Sequence, residues 1–127
     1  MIKIWSAGTG HPGPLPTADI VFPLAHRFRD PHVTPKLRQL TGEHPAVVEN
    51  VMRQPGAGDF LHRAAIAVAE LAGGGTLDVI VLFLCIGGRH RSVAFGGKML
   101  VELARYVHSD TVITLTHRDI DKDVLVR

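Results

Sequence analysis

The stretch from Val79 to Ser92, VIVLFLCIGGRHRS, limits the fold more than any other part of the chain. Val79 to Leu84 is continuously apolar and β-branched at its start, the pattern of a strand covered on both faces. Two glycines interrupt the run. From about Arg91 to Val107, Val93, Gly97, Leu100, Ala104 and Val107 then fall along one side of a helix. Thr111 to Thr116 alternates and is rich in β-branched residues, so the last third reads strand, helix, strand. Parallel strands need a crossover of this kind, and such crossovers are right-handed. The expected fold is α/β: a small, mostly parallel sheet flanked by helices, with a phosphate-binding loop at a strand-to-helix turn.

The rest of the chain supplies further elements. Ile2 to Trp5 predicts a short first strand, and Asp19 to Phe22 a second that ends at Pro23. Pro35 after Thr34 predicts a short helix that stops at Gly42, and Pro45 to Gln54 predicts another. Asp59 is a suitable N-cap for a longer helix, in which Leu61, Ala64, Ala65, Val68 and Leu71 share a face before Gly73-Gly74-Gly75 ends it. With 127 residues, 46% apolar and 20% charged, the chain is expected to be one domain, residues 1–127. The single cysteine excludes an internal disulfide, and no long apolar stretch follows Lys3 as a leader would require. Val79 to Ile86, the longest apolar run, is too short to span a bilayer. The expected setting is the cytosol, with no membrane partner.

A formal charge of +2, from 14 basic and 12 acidic residues, predicts nothing about nucleic acid by itself. Placement matters more. Ligands of open α/β sheets bind at the carboxyl ends of the strands. The segments leaving the four predicted strands are Gly8 to His11, His26 to His32, Cys85 to Ser92, and His117 to Asp119. Parallel strands would gather their glycines and basic groups on one edge. At the turn itself, Gly87 and Gly88 permit close approach to the backbone, and free N–H groups at the helix start attract an anion. Arg89, His90 and Arg91 add cationic donors and Ser92 a hydroxyl, each charge-assisted bond contributing roughly 1.5–3 kcal/mol. Arg91 sits at a helix start, so its removal is expected to weaken phosphate binding and leave the fold intact. The alternative is a tight turn whose basic residues are merely solvated.

Five residues separate Cys85 from Arg91, and Ser92 follows. This Cys-x5-Arg-Ser spacing resembles the low-molecular-weight tyrosine phosphatases and arsenate reductases. That resemblance implies Cys85 as nucleophile and Arg91 as phosphate ligand, with Asp30 or Asp119 as the acid that protonates the leaving oxygen. The alternative for Cys85 is a small buried apolar residue at a strand end.

The wider chain resembles the C-terminal domain of the RNase adapter protein RapZ and its relatives. Cys85, Gly87, Gly88, His90, Arg91 and Ser92 match that family's Cys-x-Gly-Gly-x-His-Arg-Ser motif. Asp30 to Gly42, DPHVTPKLRQLTG, matches its Asn/Asp-Pro-His segment and the Pro-x-Leu-Arg-x-Leu-Thr-Gly that follows. His117-Arg118-Asp119 and the opening SAGTGHPGPLPTADIVF are further matches, in order along nearly the whole chain. The resemblance implies a non-catalytic domain that binds a hexosamine phosphate and, in the adapter proteins, RNA as a homo-oligomer. By carry-over, Gly87, Gly88, Arg89, His90, Arg91 and Ser92 hold the phosphate and His32 faces the sugar. Gly10, His11, His117 and Arg118 complete the expected ligand edge. The chain departs from the family in three places. Pro23-Leu24-Ala25 stands where the family has Asp-Val-Arg, Ile86 replaces a threonine, and no GxxxxGK[ST] occurs, so the N-terminal nucleotide-binding domain is expected to be absent.

Arg27, Arg29, Lys36 and Arg38, with Phe28 among them, form a basic stretch that reads either as an RNA-contacting surface or as a solvated loop and helix face. No histidine spacing resembles a metal-ligand set, and neither metal nor cofactor is expected.

Overall fold

Strand β1, Ile2–Gly8, runs three residues past Trp5 because its pairing with β3, Val79–Cys85, continues in parallel register from Ile2 opposite Val79 to Gly8 opposite Cys85. Strand β2, Ile20–Pro23, pairs with the other side of β3, and β4, Ile113–His117, with the other side of β1. The sheet order is therefore β2-β3-β1-β4, and every pair is parallel. The computed structural model describes residues 1–126.

Four helices lie between the strands: α1, Pro35–Arg38; α2, Pro45–Met52; α3, Ala57–Leu71; and α4, Arg91–Leu103. The short α1 stops before Gly42, and α4 ends four residues before Val107, in turns that reach Tyr106 and lead to β4. Helix α3 begins at Ala57, with Gly56 at φ +83° before it, so Asp59 lies inside the first turn instead of capping it. Gly73 and Gly74, at φ +57° and +72°, take the left-handed conformation that stops the helix, as expected.

Strand order explains why the helices form a single layer. The steps β2 to β3 and β3 to β4 run the same way along the sheet, so right-handed crossovers place both sets of helices on one face. Helix α4 packs on β1, β3 and β4, and α2 and α3 pack on α4. The core between the layers contains Ile2, Ile4, Val79, Val81 and Phe83 from the sheet and Leu61, Val68, Phe95, Met99 and Leu103 from the helices, all buried. Val79 to Leu84 was expected to be covered on both faces; on the face away from the helices Leu82 is buried, while Ile80 and Leu84 are half-buried.

Topology also singles out one pair of strand ends. Adjacent strands β1 and β3 send their connections in opposite directions, β1 toward β2 and β3 toward β4. In open α/β sheets, ligands bind at the carboxyl ends of strands at such a switch point. Here those ends are Gly8 and Cys85.

Candidate functional site

The loops leaving β1 and β3 are joined by main-chain hydrogen bonds, Thr9 N–H to Cys85 O and Gly10 N–H to Ile86 O, both 2.9 Å. Gly8 and Gly88 approach so closely that a Cβ on Gly8 would lie 2.4 Å from Gly88 N, and one on Gly88 2.5 Å from Gly8 N. Gly88 also has φ +66°, which disfavours any side chain there. Its N–H donates to Cys85 Sγ at 3.2 Å, and the Cys85 thiol donates to Ser92 Oγ at 3.1 Å. Cys85, Gly87, Gly88, His90, Arg91 and Ser92 are all buried. The first turn of α4 starts directly after them, so its free amide ends and the positive end of the helix dipole lie beside this junction.

The side chains of Arg89, His90 and Arg91 are all engaged by groups of the protein. Arg91 is only 2% exposed; its Nη1 donates to the carbonyls of Leu24 (3.2 Å), Ala25 (2.9 Å) and Phe28 (3.0 Å), and its Nη2 pairs with Asp30 Oδ2 at 3.2 Å. Arg89 donates through Nε to Leu40 O at 3.0 Å, and also to the carbonyls of Gln39 and Lys122. His90 Nε2 meets Arg38 O at 3.1 Å, and its Nδ1 lies 3.8 Å from Asp30 Oδ1. The expectation that Arg91 is dispensable to the fold is therefore corrected: its guanidinium is a buried cross-link between α4 and the segment after β2.

The same contacts account for two sequence motifs. In DPHVTPKLRQLTG, Arg38, Gln39 and Leu40 present carbonyls to His90 and Arg89, while Asp30 supplies the carboxylate for Arg91. Gly42 closes the segment: its N–H donates to Arg89 O at 2.8 Å, and a Cβ there would lie 2.4 Å from His90 O. Arg118 of the late His-Arg-Asp donates to the carbonyls of Gly8, His11, Gly13 and Pro14, gathering the loop after β1. Asp119, fully buried, accepts from Gly8 N–H at 2.8 Å and pairs with Arg118 and Lys122. His117 Nδ1 contacts the buried Ser6 Oγ at 2.6 Å.

Burial alone would raise the Asp119 carboxyl, but hydrogen bonds from Lys122, the Gly8 amide and Arg118 outweigh it and hold the group below the ordinary carboxylate value. An ionised carboxylate has no proton to give, which weighs against a leaving-group acid at this position. Lys122, three residues beyond Asp119, is a contributor that the sequence reading missed; its only signal is that i, i+3 spacing.

Burial depresses His90 below its ordinary 6.5, against the opposing pull of Asp30, and it depresses His117 likewise, against Glu43. A histidine whose folded value is lowered is protonated first in the unfolded chain, so stability is complete above 6.5 and declines as pH falls through the histidine range. The melting temperature is expected to drop between about pH 7 and about pH 5, with a shallower drop for His117→Gln. A flat profile over that interval would remove these two histidines from the account. Asp119 acts in a separate window, because its lowered value keeps its contribution until pH falls below 3.8.

Around the turn, His11 and His32 are half-buried and Gly10 is exposed at the rim. Arg27, Arg29 and Lys36 are exposed, whereas Arg38 is half-buried with its Nε on His32 O at 2.9 Å. A cavity of about 360 Å³ is lined by His32, Arg38, Gln39 and Val124 to Val126. A mostly apolar groove of about 610 Å³ lies elsewhere, between α2, α4 and β4. Among the described residues no three His, Cys, Asp or Glu side chains are grouped to hold a metal ion, and no helix is long and apolar enough to cross a membrane.

The family model described as the RapZ C-terminal domain matches residues 1–121. A nucleotide-binding protein of Streptomyces coelicolor is 38% identical over 84% of this chain and 36% of its own length. One of Rubrobacter xylanophilus is 34% identical over 94% of this chain and 40% of its own, and one of Cutibacterium acnes is 36% identical over 84% and 36%. The chain thus spans 36–40% of the length of these curated relatives.

Proposed function

This chain belongs to the RapZ C-terminal domain family, and from that premise we propose that it is a non-catalytic binding domain whose ligand is a phosphorylated small molecule held at the Cys85–Ser92 turn. The observation that carries the reading is the junction of Gly8 and Gly88 at the β1–β3 switch point, directly before the start of α4. Neither glycine carries a side chain of its own, and amides at a helix N-terminus favour an anion. With the Arg89, His90 and Arg91 side chains engaged on protein groups, and the Gly8 and Gly88 amides on Asp119 and Cys85, the donors this reading relies on are the main-chain N–H groups at the start of α4, and the three side chains act by fixing the shape of the turn. The relatives' name, nucleotide-binding protein, fits a phosphorylated ligand as a class. The family resemblance refines that class to an amino-sugar phosphate. The exposed Arg27, Arg29 and Lys36 are the groups that would contact RNA if this domain shares that property.

The competing reading is a cysteine-dependent phosphatase, favoured by the Cys85–Gly88–Ser92 contacts. Its essential arginine is turned away, onto Leu24, Ala25, Phe28 and Asp30. Calorimetric titration with inorganic phosphate and glucosamine 6-phosphate separates the two. Binding at roughly micromolar to millimolar levels is expected, and Cys85→Ser should leave it within about twofold. Aryl phosphate hydrolysis that wild type performs and Cys85→Ser lacks would replace the binding reading with the enzymatic one.

A further inference from the structure

We propose that the segment Lys122–Val126 is a built-in strap that lies across the mouth of the Cys85–Ser92 turn and competes with the ligand for it. The inference rests on the phosphate-site reading above. The segment lies beyond residue 121, where the match to the family model stops. It nonetheless touches residues at three sides of the proposed site. Lys122 is anchored to Asp119 at 2.5 Å, and its carbonyl accepts from Arg89 Nη1 at 3.4 Å. Leu125 sits over the loop after β1, so close that a Cβ on Gly10 would lie 2.5 Å from its Cδ1 and 3.1 Å from Ile86 O. Val124, Leu125 and Val126 form one wall of the cavity whose other wall is His32, Arg38 and Gln39.

Beyond Lys122 the contacts among the described residues are few. Among the described residues no hydrogen bond engages Asp123 to Val126, Asp123 is exposed, and Val126 is fully exposed. Val124 and Leu125, both half-buried, are its apolar anchors, and Leu125 is the one that reaches the loop after β1. A segment whose described contacts beyond Lys122 are a few apolar ones opens at modest cost, and a ligand would displace those contacts. Its effect on affinity is that of a population of closed molecules: if about one molecule in ten is open, the apparent Kd is about tenfold above the intrinsic one.

The test compares the full chain with a chain ended after Lys122, which keeps the Asp119 ion pair, and with Leu125→Ser in the full chain. Inorganic phosphate is the probe, and melting temperature checks that each form is folded. Both variants are expected to bind phosphate about tenfold more tightly than the full chain. Equal or weaker binding by both variants would overturn the strap while leaving the phosphate site standing. If no form bound phosphate, the site itself would be refuted, and the strap with it.

Discussion

Alanine in place of Arg91 is expected to lower the stability of the fold by about 3–5 kcal/mol, the range for removing one partner of a buried ion pair. The substitution strips the donor from three carbonyls, at Leu24, Ala25 and Phe28, and leaves Asp30 without its Arg91 partner. Those carbonyls belong to the segment that follows β2, and Phe28 within it packs on Phe95 of α4 at 5.0 Å between ring centroids. Loss of the guanidinium therefore loosens the attachment of that segment to α4 as well as the polar contacts. Arg91→Lys keeps the charge, but one ammonium cannot reproduce a planar fork shared among four acceptors, so an intermediate loss is expected. Urea unfolding measures both. If Arg91→Ala kept wild-type stability and lost only phosphate binding, the guanidinium would serve the ligand and its buried contacts would be incidental.

The second large effect is expected at Gly8. In Gly8→Ala the new methyl would sit 2.4 Å from Gly88 N, 2.5 Å from Gly87 C and 2.6 Å from Ile86 O. All three are backbone atoms, so no side chain can swing aside. Relief requires parting the two loops, which strains the Thr9–Cys85 and Gly10–Ile86 hydrogen bonds and the bond from Gly8 N–H to Asp119. A loss of roughly 3 kcal/mol is expected, at the upper end for overpacking because the neighbours are rigid. Phosphate affinity should fall with it, since the proposed site is built from those same loops. Gly58→Ala is the matched control: it lies in α3 with no atom within 4 Å of the added Cβ, and about 0.5–1 kcal/mol of stabilisation is expected there. Denaturant midpoints of the two variants should move in opposite directions; a neutral Gly8→Ala would contradict the close approach.

Local pattern carried a good part of this fold. The apolar run into Gly87-Gly88 and the periodic residues after it placed β3, the turn and the start of α4 correctly, because those elements depend on neighbours in sequence. The single helical layer was not legible, since it follows from the order β2-β3-β1-β4. The four strand exits do reach one edge, as parallel strands require. What their side chains do there was hidden from the sequence. Arg91 finds its acceptors 61 to 67 residues away and Arg118 finds Gly8 at a separation of 110, and nothing in the local pattern of either arginine signals a distant carbonyl. Residues that look like ligand donors in a motif thus turn out to hold the loops that surround the turn. Leu24 and Ala25, standing where the family has a valine and an arginine, still contribute through their main-chain oxygens, which do not depend on side-chain identity.

The central claim is that a phosphate is received by the backbone of the turn between β3 and α4. Titration of the isotope-labelled protein with inorganic phosphate, followed amide by amide, tests it most directly. Saturable shifts are expected at Ile86 to Ser92 and at Gly8 to His11, the two loops that meet at the switch point, and the same shifts are expected in Cys85→Ser. If those amides stayed still while Arg27, Arg29 and Lys36 moved in a manner suppressed by added salt, phosphate would be binding diffusely to the basic surface, and the turn would not be its site.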